Sequence, residues 1–162
     1  MSLANLIVQP HAAYLYTDCG YYDADGVILK LEHKIMPFPN QAMAIAMVGA
    51  GKLNATLMFD EIERRGYDKL GQIAFLRAFR AMVRETCSED ADGGDREDRR
   101  FMIGFYSHEH GRALGLTIFT PGMGPDGKSP YEYHSADIII APMVPPADAF
   151  GDRKVNVTVP RS

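Results

Sequence analysis

Ser2-Leu3-Ala4-Asn5-Leu6-Ile7-Val8, Ala13-Tyr14-Leu15-Tyr16-Thr17-Asp18, Gly26-Val27-Ile28-Leu29, His33-Lys34-Ile35 and Ala44-Ile45-Ala46-Met47-Val48-Gly49-Ala50-Gly51 decide the reading of the fold. Most are apolar and rich in β-formers, and breakers separate them. Residues 4–9 and 12–18 read as strands around Pro10-His11. Asp23-Ala24-Asp25-Gly26 is a turn, because Gly tolerates positive φ and Asp bonds its own backbone; it joins a strand over 14–22 to one over 27–34. Pro37 and Pro39 lack a ladder donor and end that run as a central strand. Ala42–Val48 is a continuous small-apolar run, suited to a strand buried on both faces.

Outward from this block, Gly49-Ala50-Gly51 turns the chain into a helix over about 52–65, with Leu53, Leu57, Met58 and Ile62 near one face and Gly66 as its stop. Asp68 reads as the N-cap of a second helix over 69–87. Phe75, Ala78, Phe79, Met82 and Val83 form its apolar stripe, which Ile73 and Leu76 widen. Ser88–Arg100 is acidic and Gly-rich and reads as an exposed loop. Phe101–Ser107 and Ala113–Thr120 form a hairpin with Gly111 at its left-handed position; Pro121–Pro130 is loop. Ser135–Ala141 is a short strand, and Val155, Val157 and Val159 alternate as in a final edge strand. Strands, two helices, then strands again predict an α+β domain spanning 1–162, with antiparallel sheets under a helical layer.

Composition narrows the function classes. At 162 residues the chain has room for one sizeable core. A formal charge of -4 gives no basic footprint, so nucleic acid is not the expected partner. No apolar run reaches the roughly 18 residues that a membrane span needs, and the N-terminus lacks the pattern of a secretion signal. Cys19 and Cys87 do not make a disulfide framework. The expectation is a cytoplasmic protein without membrane or nucleic-acid partners and without a cofactor or metal.

The element order and several short motifs resemble proteasome β-type subunits and the bacterial HslV-type peptidase, both N-terminal nucleophile (Ntn) hydrolases. The resemblance covers about residues 2–122. Leu15-Tyr16-Thr17-Asp18 resembles the segment leading to that family's aspartate, His33-Lys34-Ile35 its lysine segment, and Met47-Val48-Gly49-Ala50-Gly51 its oxyanion turn. Asp18 lies 16 and Lys34 lies 32 positions after Ser2, which matches the family's spacing. The resemblance implies a four-layer αββα sandwich, here a reduced version, because the Pro-rich tail leaves no room for a second pair of long helices. It further implies a homo-oligomer, a peptide or amide substrate, and a site of Ser2, Asp18, Lys34 and Gly49.

The chemistry follows from those residue types. Once Met1 is removed, the Ser2 α-amine, with a reference pKa near 8, can serve as general base for its own hydroxyl. Lys34 would supply positive charge, Asp18 would orient Lys34, and the Gly49 N–H would stabilise the oxyanion. Each residue also has a plainer reading. Ser2 can cap a strand or belong to a leader, Asp18 can cap a turn, Lys34 can guard an edge strand, and Gly49 can serve the strand-to-helix turn alone. A catalytically silent scaffold or assembly subunit is the alternative function. Gly51-Lys52 fails as a phosphate loop, because Ala46 and Leu53 stand where the motif needs Gly and Ser or Thr. His108-Glu109-His110 lacks a third metal partner nearby and reads as turn.

Overall fold

The computed structural model describes residues 3–22, 27–50, 53–87, 98–121, 123–125 and 127–141. Strands β1 (Ala4–Gln9) and β2 (Ala12–Thr17) pair from Ala4↔Thr17 to Gln9↔Ala12. Strands β3 (Gly20–Tyr22) and β4 (Ile28–Leu31) make a separate two-stranded hairpin. Next come β5 (Ile35–Phe38) and β6 (Met43–Ala50), then helices α1 (Ala55–Arg64) and α2 (Gln72–Cys87). Strands β7 (Asp98–Ser107), β8 (Arg112–Phe119), β9 (His134–Ser135) and β10 (Ile138–Ala141) complete the described chain. A five-stranded sheet runs β5-β6-β7-β8-β9 and a three-stranded sheet runs β10-β1-β2, every pairing antiparallel. The class is α+β, as its element order predicts.

Alternation along β6 shows why these sheets stack. Ala46 and Val48 face the three-stranded sheet and meet Leu6 and Ala4 of β1, while Ile45 and Met47 join the core under the helices. From Met43 to Val48 the run fits burial on both faces, whereas Ala42, exposed at a φ of 48°, lies before the strand. Small residues let the two sheets close: a Cβ on Gly115 would stand 2.1 Å from the Ala136 carbonyl oxygen and 2.6 Å from Val8 Cγ2. On the opposite face of the larger sheet, Met58 and Ile62 of α1 pack with Phe75, Phe79, Met82 and Val83 of α2 over Phe101 and Ile103 of β7. Burying side chains of this size contributes on the order of 1.5–3 kcal/mol each.

Local chemistry sets the helix ends. Asn54 accepts the Leu57 N–H at 2.9 Å as N-cap of α1, and Gly66 takes a positive φ of 69° just beyond it. The second helix starts at Gln72, not after Asp68, which lies in a 3-10 turn over Tyr67–Lys69. Gln41 Nε2 donates to the carbonyls of Asp68 and Leu70 at 2.8 and 2.7 Å, so a distant side chain holds this turn.

Other expectations change in the folded chain. Leu57 and Ile73 are exposed, so the apolar stripes are narrower than read, and buried Ala55 takes a place in the α1 stripe. The 14–22 strand breaks at Asp18-Cys19, leaving β2 and β3 in different sheets. The 27–34 strand ends at Leu31. Pro37 sits within β5, tolerated because β5 is an edge strand bonded only to β6. Arg99 and Arg100 belong to β7 and not to a loop; Arg99 is buried and donates to the Leu53 carbonyl. The 135–141 strand divides into β9 and β10, one in each sheet. Ser2, the 23–26 turn, Gly51-Lys52, residues 88–97 and the Val155–Val159 strand lie outside the described residues. No helix among the described residues is long and apolar enough to cross a membrane.

Candidate functional site

Lys34 is the most unusual side chain in the described core. It stands between β4 and β5 and is 2% exposed. Its carbonyl accepts the Met47 N–H at 3.2 Å, extending the β5–β6 ladder by one pair and fixing where the side chain begins. A buried ammonium is costly unless it is paired and hydrogen-bonded. Its partners include Asp18 Oδ1 at 2.6 Å, the Gly20 carbonyl, and the face of Tyr21, whose ring centroid is 4.9 Å from Nζ. The plain reading of Lys34 as an exposed edge-strand charge does not survive this burial.

Asp18 is placed by the first hairpin. Its N–H bonds the Leu3 carbonyl at 3.1 Å, continuing the β1–β2 ladder past Ala4↔Thr17. Its carboxylate turns back, and Oδ1 accepts the Leu3 N–H at 3.2 Å as well as the lysine. That N–H belongs to the peptide linking Leu3 to Ser2. One carboxylate oxygen thus ties the start of β1 to the buried ammonium. Where the chain leaves the ladder at Asp18-Cys19, the Asp18 carboxylate and the Gly20 carbonyl both accept from Lys34.

Of the four sequence-predicted residues, the structure brings Asp18 and Lys34 into contact. Gly49 lies at the exposed end of β6, paired with Arg99, at a φ of 135° that side chains rarely adopt. Ser2 lies outside the described residues. Sequence reasoning missed the Gly20 carbonyl, the Tyr21 ring and the Leu3 N–H. A tyrosine in a strand is no more than packing by sequence alone, and backbone groups leave no mark in a sequence.

A second layer surrounds Tyr21. Lys30 Nζ lies 4.7 Å from the same ring centroid and 2.7 Å from Glu32 Oε2, and Thr56 donates to Glu32 Oε1 at 2.5 Å. The bonds from Lys30 and Thr56 hold the Glu32 carboxyl below its usual range. Burial pushes the Tyr21 phenol up, so the ring stays neutral beside the lysines. Next to Lys34 in the chain, His33, Ile35 and Met36 line a mostly apolar cleft of about 190 Å³ with Ala55, Thr56 and Phe59 of α1.

A larger cleft of about 600 Å³ lies between the start of α2 and the β7–β8 turn. There Ser107 Oγ meets His110 Nδ1 at 2.9 Å, but the same oxygen also accepts the His110 N–H at 3.3 Å. The pair closes its own turn. His108 packs its ring edge-on to Tyr106, and among the described residues no three His, Cys, Asp or Glu side chains come together to hold a metal.

No protein-family model matches this chain, and a search of curated proteins finds no match either.

Proposed function

We propose that the chain is an N-terminal nucleophile hydrolase of the proteasome β-type, acting on a peptide or amide bond, with a reduced form of the four-layer αββα sandwich. The observation that carries this reading is the shared Asp18 Oδ1, which bonds the buried Lys34 ammonium and the N–H of the peptide joining Leu3 to Ser2. Two face-to-face sheets with a helical layer on one of them support the fold part of the proposal.

In the proposed reaction Met1 is first removed. The freed Ser2 amine takes the proton of its own hydroxyl as Oγ attacks the substrate carbonyl. In this reading the Lys34 charge favours the anionic oxygen, and Asp18, bonded to both Lys34 and the Leu3 N–H, holds Lys34 in place. The Gly49 N–H is assigned to the tetrahedral oxyanion, a contribution of a few kcal/mol for such donors. Collapse of that intermediate breaks the C–N bond, and the amine leaves with the proton the Ser2 amine had taken. Water then hydrolyses the ester. The apolar cleft beside Lys34 is suited to an uncharged substrate side chain.

The test is a hydroxyl-acylating β-lactone probe on protein whose mass shows that Met1 is gone. Labelling of Ser2 that disappears in Lys34→Met and Asp18→Asn, and persists in Ser107→Ala, is the expected result. A processed chain that stays unlabelled sinks the hydrolase reading and leaves the non-catalytic assembly subunit.

A further inference from the structure

Two uncharged patches stay outside both cores. On β4 and the residue before it, Val27, Ile28, Leu29 and Leu31 are all more than half exposed, from 54% to 74%. The β3–β4 register shifts by one residue at Leu29, so these four side chains do not divide by simple alternation, and all of them reach solvent. Lys30 is drawn to the Tyr21 ring and to Glu32, which occupies its charge. Among the described residues β4 pairs only with the three residues of β3, and an isolated two-stranded hairpin is marginal in water. The second patch is the outer face of the β10–β1–β2 sheet. Ile138, Ile7 and Tyr14 lie in register across its three strands, Tyr16 stacks 6.5 Å from Tyr14, and Leu3 is exposed just before β1. None of these three strands carries a charged residue.

Area selects how the patches are covered. Taking about 100 Å² for each half-exposed large side chain, each patch offers roughly 400–500 Å². Either patch packed on its own copy would bury under about 1,000 Å² in total, below what a specific interface needs. A reciprocal contact that uses both patches on both copies buries roughly 1,600–2,000 Å², the size of a specific interface. The row of aliphatic side chains also suits a face that has no charge to desolvate.

We propose that the β3–β4 hairpin is an arm that lies on the outer face of the β10–β1–β2 sheet of a second copy of this chain, each copy of a two-fold pair giving its arm and receiving the other's. The arm shares its β3 strand with the Lys34 shell through Gly20 and Tyr21, but the contact surface uses other side chains.

Sedimentation velocity of the full chain tests it with Leu29→Lys on the arm and Tyr14→Glu on the face. Wild type sediments as a dimer at tens of micromolar. Each variant alone becomes monomeric, its dissociation constant raised at least about 100-fold, with an unchanged circular dichroism spectrum. An equimolar mixture of the two variants dimerises again, because the intact arm of one meets the intact face of the other and the two substituted patches carry opposite charge. If the charged variants melt early, Leu31→Ser and Tyr16→Ser take their place. A monomeric wild type overturns the proposal, whether residues 142–162 or a foreign protein cover the face. So does a single variant that remains dimeric, or a mixture that remains monomeric.

Discussion

Asp18 Oδ1 lies 2.6 Å from Lys34 Nζ, and the lysine side chain retains 2% of its surface. The two residues are 16 positions apart and meet because β2 ends at Thr17 while β5 begins at Ile35. Their coupling makes the site part of the stability of the fold as well as a candidate for chemistry.

Removing either partner strands the other. Asp18→Asn leaves a buried ammonium without its counter-charge and is expected to cost about 3–5 kcal/mol in urea unfolding. Lys34→Met leaves the carboxylate partly exposed to water, 22% for its side chain, and is expected to cost less. Equal losses would mean that the lysine's burial is not what makes the pair matter.

Gly115 of β8 sits against Val8 of β1 and the Ala136 link between β9 and β10 with no room for a side chain. A methyl there would meet the Ala136 carbonyl oxygen at 2.1 Å, backbone that has no rotamer to yield. Gly115→Ala is expected to lower stability by about 1–3 kcal/mol or more. Gly104→Ala meets Ala13 Cβ at 2.9 Å and is expected to be milder. Paired thermal melts of the two variants check the order.

On α2 the cost of a substitution is expected to follow burial rather than residue type. Phe79 is fully buried, 6.0 Å from Phe75 and 5.4 Å from Phe101 between ring centroids, so Phe79→Ala should cost about 3–5 kcal/mol. Ile73 on the same helix is 57% exposed, and Ile73→Ser should stay within about 0.5 kcal/mol. Chemical denaturation of both variants measures the difference directly.

Arg64 and Arg65 hold the Glu61 carboxyl at about 2, and Arg65 also bridges to Glu85 at 2.8 Å. A carboxylate whose folded pKa is depressed adds stability above its unfolded value, near 4.3, and loses it as pH falls toward the folded one. Glu61→Gln is therefore expected to melt a few degrees lower than wild type at pH 7, since these are exposed pairs. The gap should close between about pH 4.5 and pH 2. A gap that holds constant through that window would show that charge is not what these bonds contribute.

Much of the architecture is legible in the residues because period and punctuation are local properties. Pro10-His11 marks the first hairpin, Gly111 with its φ of 60° the last one, and the 42–48 run announces a strand with two buried faces that begins one residue later, at Met43. The boundaries that moved did so under distant contacts. Asp68 looked like a helix cap until Gln41 claimed the Asp68 and Leu70 carbonyls, and Arg99 looked like loop until its place in β7 and its bond to Leu53 buried it. Ile73 matched a helical stripe by spacing alone, and spacing cannot say where a helix face meets the sheet.

By itself the sequence determined an α+β chain of antiparallel strands and two helices, and it singled out Asp18, Lys34 and Gly49 by type and spacing. Only the tertiary structure decided that Lys34 is buried, that Asp18 shares one oxygen between it and the Leu3 N–H, and that Gly20 and Tyr21 join its shell. The reason is physical. A lysine's cost and use depend on how much water surrounds it and which dipoles replace that water, and both are set by segments that meet only after the chain has folded.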